Sequence, residues 1–418
     1  MENFDRNKLV YTQEGLTLDG ISIGKIIEKF NTPLYLYSEK TLEHNLNHYI
    51  EDSKAAGIDA LICFALKSNS NKSLLQLLAK RGAGADIVSA GELIRALAAG
   101  IPANKIVFSG VGKMKKEIEL ALKKDIYSFN VESIEELSLI NQLAEKQGKI
   151  ARIAFRLNPK VHAETHKHIS TGFKTHKFGV LAQDIIDAAK VESYWTHCKL
   201  VGLSIHIGSQ LVSLDATEQA IINLCDCASQ IDLPLEFLDV GGGLGVNYEK
   251  KPSKVAPSVL SYMELVQKTV TENYAHKVKV VFEPGRRIIA SVGFFITSVI
   301  RSKTSDDCNF LIVDGGMNDF VRPSLYDAYH EIYPSYESED TVLMDIVGPI
   351  CETADCFGQG RSLPKLGPGD FVAIADTGAY GYTMSSNYNL RVRPAELLIT
   401  NNGEVQRINK EEILEDIL

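Results

Sequence analysis

Between residues 60 and 285 the chain repeats one pattern, a short run rich in branched apolar residues followed by a longer amphipathic stretch. Eight such runs can be counted: "ALICFALK", "GADIVSA", "KIVFSG", "IYSFNV", "ARIAFRLNP", "LVGLSIHIG", "LEFLDVGGG" and "VKVVFEPG". Stretches such as "NKSLLQLLAKRG" and "SIEELSLINQLAEKQG" separate them, with apolar residues at spacings of three and four, as in helices packed by one face. Alternating strands and helices pair the strands in parallel through right-handed crossovers, and eight units predict a closed (β/α)8 barrel of TIM type. An open doubly wound sheet is the alternative that the same alternation allows.

After about residue 290 the texture changes. "GFFITSVIRSKT", "CNFLIVDGG", "VLMDIVGPIC", "DFVAIADTGAY" and "RPAELLIT" are strand-like and lie between Gly, Pro, Asn and Asp turns, which predicts a separate C-terminal β domain. "TPLYLYS" near the start is a further short strand that fits with it. The expected organisation is an N-terminal segment, 1–35, packed with the β domain, a barrel over 36–285, and the β domain over 286–418. A length of 418 residues suits two domains.

A formal net charge of −9 offers no attraction to nucleic acid or an anionic membrane, although a local positive cluster can still hold a small anion. No run approaches the roughly 18 apolar residues of a membrane span. Charges stand in "MENFDRNKLVYTQEG" where a signal peptide has its apolar core. The seven cysteines are scattered, odd in number and without metal-site spacing, which suits free thiols in a reducing compartment. The expectation is a cytoplasmic protein with no nucleic-acid or membrane partner and no metal.

In such a barrel the strand C-termini and the loops after them form the active face. Those ends carry Lys67, Asp86 to Ser89, Ser109 and Gly110, Asn130, Arg156 to Asn158, His206 to Gln210, Gly241 to Gly245 and Glu283 to Arg286. Singly, each has a plain reading: Lys67 is a strand end meeting water, His206 a core histidine, "GGGLG" a tight turn, Glu283 a loop acid. Their joint occurrence on one face says more. "GGGLG" and "EPGR" follow the seventh and eighth runs, where barrels place phosphate sites. Glycines let backbone N–H groups approach phosphate oxygens, and Arg286 adds a charged fork. With a lysine across the mouth and an acid beside the phosphate, pyridoxal phosphate is a ligand that would use all of these groups.

The segments "FALKSN", "HIGSQ", "DVGGGLGVNY", "EPGRRIIA", "MNDFVRPSLYDAYH", "GPICETAD", "DTGAYGYTMSSNYN" and "RPAELLI" resemble the fold-type III pyridoxal-phosphate decarboxylases, from near the N-terminus to about residue 400. The resemblance implies a barrel with a separate β-sandwich or barrel-like C-terminal domain, as in alanine-racemase-like proteins. It implies that Lys67 holds pyridoxal 5'-phosphate covalently, through an amine made nucleophilic by desolvation. It makes His206 the residue stacked on the cofactor ring and places Ser209, Gly242 and Gly243 at the phosphate, with Gly285 and Arg286 in the same site. Glu283 pairs with the ring nitrogen and keeps it protonated. Racemases of this fold type carry an arginine there, so Glu283 favours decarboxylation. Cys351 matches the residue that protonates the carbon losing CO2, supplied across a homodimer interface so that two subunits build one site. Tyr380 matches a tyrosine contacting cofactor and substrate.

Relatives in this family act on ornithine, arginine, carboxynorspermidine or diaminopimelate, and the far end of the substrate separates them. A distal carboxylate with an ammonium needs a bidentate donor and an acid together. Arg322 and Arg286 suit the carboxylate and Glu352 the ammonium, with Tyr326 adding a hydroxyl one turn beyond Arg322 if that segment is helical. The implied reaction is decarboxylation of meso-2,6-diaminopimelate at its D-centre, giving L-lysine and CO2. A decarboxylase for another of these substrates, a non-catalytic cofactor binder and a Schiff-base aldolase are the rival readings. The four histidines of "HAETHKHISTGFKTHKFG" match a metal-free loop of the family, a candidate lid over 162–175.

Overall fold

A computed structural model describes residues 9–161, 177–191, 193, 195–249, 252–306 and 308–417. The expected lid over 162–175, and with it His162, His166, His168 and His176, lies outside the described residues. The chain divides into two units, His44–Val246 with Lys254–Arg287, and Met1–Glu43 with Asn247–Ser253 and Ile288–Leu418. The expected limits at 35/36 and 285/286 stand beside these.

Strands β1 (Leu9–Thr12), β2 (Gly15–Leu18) and β3 (Ile21–Ser22) form a small antiparallel sheet, and β4 (Leu34–Ser38) follows. The barrel then takes the eight apolar runs in order. They are β5 (Ala60–Ala65), β6 (Gly84–Ile87), β7 (Ile106–Phe108), β8 (Ser128–Val131), β9 (Ala151–Arg156), β10 (Cys198–Ser204), β11 (Phe237–Asp239) and β12 (Lys279–Phe282). All pair in parallel, and Val281 opposite Leu61 closes β12 onto β5. The expected TIM-type barrel is therefore what forms, and the open sheet is excluded. Strands buried on both faces need no polar alternation, which is why each appeared as an almost unbroken apolar run.

Inside the barrel Cys63, Val107, Ala154, Val201, Phe237 and Val281 pack into one cluster. The Phe237 ring occupies the space that a side chain at position 202 would fill, since a Cβ on Gly202 would stand 2.7 Å from ring carbons. The register of β10 against β9 shifts between Leu200 and Gly202, a bulge beside that glycine.

Serine caps and acidic residues three positions on start the helices after β6 and β8. Ser89 accepts from the Glu92 N–H, and Ser133 from the Glu136 N–H. The Glu92 and Glu136 carboxylates reach back to the N–H groups of Val88 and Glu132, at 2.7 Å in each case. Orphan donors at two helix starts on the active face are thus satisfied from "SAGE" and "SIEE" alone.

The second unit is built on β13 (Gly293–Ser305), whose buried first half pairs with β4 and whose exposed second half pairs with β14 (Cys308–Val313). Beyond these come β15 (Ile332–Pro334), β16 (Thr341–Val347), β17 (Cys356–Pro364), β18 (Phe371–Ile374), β19 (Ala395–Ile399) and β20 (Val405–Arg407). The nine strands form one branched sheet, ordered β17-β16-β14-β13-β4-β19-β20, with β18 joining β13 and β15. β4 is interior to it, antiparallel to β13 and parallel to β19. Leu34, Leu36, Phe294, Ile296, Phe371, Ala373 and Leu397 supply its core. The sequence reading passed over β17 because "CFGQGRSLP" carries two glycines and lies at the sheet edge, where apolar alternation is not demanded.

Phe237 is fully buried. Phe237→Ala is expected to destabilise the barrel by about 3–5 kcal/mol, through lost burial and the cavity left behind, as a lower midpoint in denaturant unfolding followed by far-UV circular dichroism.

Candidate active site

Lys67 stands in a single 3₁₀ turn after β5, where the apolar run gives way to polar residues. Its Nζ lies 2.8 Å from Asp86 Oδ2 on the neighbouring strand β6. The Asp86 side chain is fully buried and its other oxygen, Oδ1, has no partner among the described residues. The lysine side chain keeps 35% of its surface accessible. One end of this pair is therefore fixed in the wall while the amine remains reachable.

Glu283 follows β12 and is buried. Its Oε1 accepts from Ser109 Oγ and from Asn130 Nδ2, each at 3.2 Å. Burial raises its carboxyl well above the usual range, the negative charges of Asp239 and Asp86 push in the same direction, and Lys67 opposes them. Asp239, the last residue of β11, is pushed up to about 6, chiefly by burial. A carboxyl in this state is short of a cation.

His206 lies just after β10, and its Nδ1 accepts the Gly242 N–H at 3.3 Å. That bond requires a lone pair on Nδ1, so the ring is a neutral imidazole with its proton on Nε2. Burial, followed by the charges of Lys67 and Arg156, holds its pKa well below the ordinary value.

The glycine turn after β11 is built for close approach. A Cβ on Gly242 would stand 2.1 Å from the Glu283 carbonyl oxygen, and one on Gly243, at φ +111°, 2.5 Å from that of Gly208. Gly285 approaches Ser68 in the same way, where a Cβ would lie 2.9 Å from the hydroxyl. Arg286 places Nε and Nη2 at 3.1 and 3.0 Å from Ser209 Oγ, bringing "HIGSQ" and "EPGR" together. The neighbouring Arg287, to which the sequence reading gave no role, is buried and donates to the carbonyls of Gly245 at 2.9 Å and Pro257 at 3.2 Å. It braces the far end of the glycine loop. Its only sequence signal was a second arginine directly after the first.

The remaining expected residues belong to the β unit. Arg322 opens the short helix Arg322–Tyr326, so Tyr326 is one turn on. The Arg322 guanidinium is buried, 4.9 Å from the Tyr248 ring centroid, with Nη1 2.9 Å from His330 Nε2. His330 Nδ1 faces the Ala375 carbonyl oxygen at 2.8 Å and so carries the ring proton, which leaves Nε2 to accept from Arg322. The sequence reading did not single out His330, although it closes the quoted "YDAYH". Cys351 and Glu352 sit in one exposed turn; the Cys351 N–H is 3.4 Å from Asn389 Oδ1, and Glu352 Oε1 accepts from the Tyr388 hydroxyl at 2.5 Å. Asp355 fastens that turn by accepting the N–H groups of Ile350 and Met317. Tyr380 takes a left-handed backbone, φ +57°, uncommon for a bulky residue and found most often where a site imposes it.

Comparison with known proteins gives a consistent result. The family model described as "Pyridoxal-dependent decarboxylase, pyridoxal binding domain" matches residues 43–290. A diaminopimelate decarboxylase of Aquifex aeolicus is 42% identical over 411 residues, covering 97% of this chain and 95% of the relative. The chain belongs to the diaminopimelate decarboxylase family. The crystal structure of the Helicobacter pylori diaminopimelate decarboxylase complexed with L-lysine is similar at a TM-score of 0.89 and 41% identity, covering 94% of this chain and 97% of that one. That of the M. jannaschii diaminopimelate decarboxylase in co-complex with L-lysine gives a TM-score of 0.93 at 35% identity, covering 99% and 97%.

The family's cofactor is pyridoxal phosphate, and the barrel's residues fit it. The glycine turn is held in place against the Glu283 and Gly208 carbonyls, the Lys67 side chain is partly accessible, and the buried Glu283 lies among other carboxylates that raise it. Gly242→Ala is expected to weaken pyridoxal phosphate binding at least tenfold, about 1.4 kcal/mol, because its Cβ has no room without moving the turn. Titration of cofactor into cofactor-free protein measures this, and an unchanged affinity would take the phosphate away from this turn.

Proposed function

We propose that this protein decarboxylates meso-2,6-diaminopimelate at its D-centre to L-lysine and CO2, the last step of lysine biosynthesis. The observation that carries the proposal is the likeness over nearly the whole length to relatives of that activity, at 42% identity for the Aquifex aeolicus enzyme. When bound, pyridoxal phosphate supplies the electron sink that takes up the pair released as CO2 leaves. Lys67 holds the cofactor through its amine; the nearby Asp86 carboxylate orients that amine. Gly242, Gly243, Ser209, Gly285 and Arg286 receive the phosphate, and His206, a neutral ring, stacks on the cofactor. Glu283 provides the anion for a protonated ring nitrogen.

The β unit supplies the substrate's partners. Arg322, with Arg286, takes the distal carboxylate, Glu352 the distal ammonium, and Tyr326 and Tyr380 add hydroxyls. Cys351 delivers a proton to the carbon that has lost CO2. In a single chain the turn from Cys351 to Ala354 is exposed, which supports a homodimer in which each subunit lends this turn to the other's site. All seven cysteines are free, in keeping with a cytoplasmic location.

The deciding assay is CO2 release from meso-diaminopimelate, with ornithine, arginine and carboxynorspermidine in parallel, on protein reconstituted with cofactor. Turnover confined to meso-diaminopimelate, with L-lysine as product, is expected; turnover of another of the four would overturn the reading of the distal pocket. Purified protein should be yellow and Lys67→Ala colourless after gel filtration. Arg322→Ala should raise KM for meso-diaminopimelate at least tenfold with the colour retained. Cys351→Ala should keep the colour and lose most of kcat, and full turnover would remove the thiol from the proton step.

A further inference from the structure

Asp239 and Glu283 end neighbouring strands of the barrel, Asp239 pairing with Val281 two residues before Glu283. Both are buried, at 0% and 6% exposure. One amide group joins them: Asn130 Nδ2 lies 3.2 Å from Asp239 Oδ2, 3.2 Å from Glu283 Oε1 and 3.1 Å from Ser109 Oγ. An amide nitrogen has two protons, so three acceptors compete for them. Asp239 Oδ1 is occupied by the Gly241 N–H at 2.9 Å. The two carboxyls thus converge on a single nitrogen, each with an oxygen 3.2 Å from it. Two carboxylates so placed, away from water, do not both stay ionised.

We propose that Asp239 and Glu283 share one proton in the cofactor-free protein, clamped by Asn130, and that loading pyridoxal phosphate expels it. This makes Asp239 a positioning residue that acts through Glu283, and the inference rests on reading Glu283 as the partner of the ring nitrogen. The groups facing the pair are consistent with it. Among the described residues neither carboxyl has a cation in direct contact; Lys67 acts on Glu283 from a distance while its Nζ is held by Asp86. Cys63 on β5 is pushed well up by burial and then by Asp239, Glu283 and Asp86, so it stays a neutral thiol. Tyr262, on the helix Val259–Asn273, is raised mainly by burial and stays a neutral phenol. Burial raises both carboxyls, and the charge of Asp239 adds to the rise at Glu283, so the proton belongs to the pair as a whole. Were the ring nitrogen to enter already protonated and keep its own proton, it would supply the missing charge, and the pair would ionise and release its proton to the buffer.

Calorimetric titration of pyridoxal phosphate into cofactor-free protein at neutral pH, in buffers of different ionisation enthalpy, counts the protons released. Contributions from the phosphate and from Lys67 are common to all variants and cancel in the comparison. Asp239→Asn and Glu283→Gln should each release about one proton fewer than the wild type. A purely structural Asp239 would lower the affinity and leave the count unchanged; that result, with the Glu283→Gln deficit intact, overturns the proposal alone. An unchanged count in Glu283→Gln instead overturns the reading of Glu283 on which it rests. Should Asp239→Asn not fold, infrared difference spectra of loaded against cofactor-free wild type decide the matter. The band of a protonated carboxyl should vanish on loading and be missing from Glu283→Gln, and a spectrum without that loss refutes the shared proton.

Discussion

Charge imbalance in the barrel mouth is the constraint on which the rest of the site depends. Asp86, Asp239 and Glu283 are all buried within reach of one another's fields, and the Lys67 ammonium is bound directly to the first of them. Buried carboxylates are costly unless each finds a proton, a cation or enough donors. The barrel meets this demand with Asn130, Ser109 and the Gly241 N–H, all neutral donors. Neutral donors add no positive charge to offset these carboxyls. A solvated site of the same composition would relax this demand with water and counter-ions.

The second constraint is steric. Three segments after different strands meet with almost no space between them, the turn at Gly241 to Gly243 against His206 and Gly208 on one side and Glu283 on the other. Glycine is required there because backbone occupies the volume of a side chain, and at Gly241 and Gly243 also because φ is positive. His206 ties this turn from one side by accepting the Gly242 N–H, and Arg287 ties its end through the Gly245 carbonyl. A turn fixed in this way loses little freedom when a ligand meets it.

Most of the barrel was legible in the sequence because a parallel strand buried on both faces is a largely apolar run, and the eight runs became the eight barrel strands in order. The same property hid Asp239. It sits inside "FLDV", where two-sided burial erases the alternation that would mark a polar residue as facing the mouth. Asn130 stood among the strand-end residues without a role, because nothing local tells that its amide reaches strands β11 and β12. Arg287 and His330 act through contacts to residues 42 and 8 positions away respectively, and such pairings are fixed by the fold. In the β unit, "TPLYLYS" was legible as a strand, but its interior position between β13 and β19 is a long-range fact.

The way Arg322 is held bears on how one fold serves different amino acids. In the proposed reading the buried Arg322 guanidinium receives a carboxylate, which needs a fixed direction, and an acidic partner would compete with the substrate. His330 avoids this, since its Nδ1 proton is committed to the Ala375 carbonyl and Nε2 accepts from Arg322 without adding negative charge. Tyr248 covers one face of the same guanidinium, which fixes its plane. The short helix Arg322–Tyr326, with Pro323 in its first turn and a left-handed Asp327 ending it, fixes the backbone from which the side chain departs. His330 and Tyr248 are both neutral, so neither adds negative charge beside the guanidinium. Were Arg322 to receive a distal carboxylate, as proposed, a substrate bearing only a cation at its far end would be repelled by the same guanidinium.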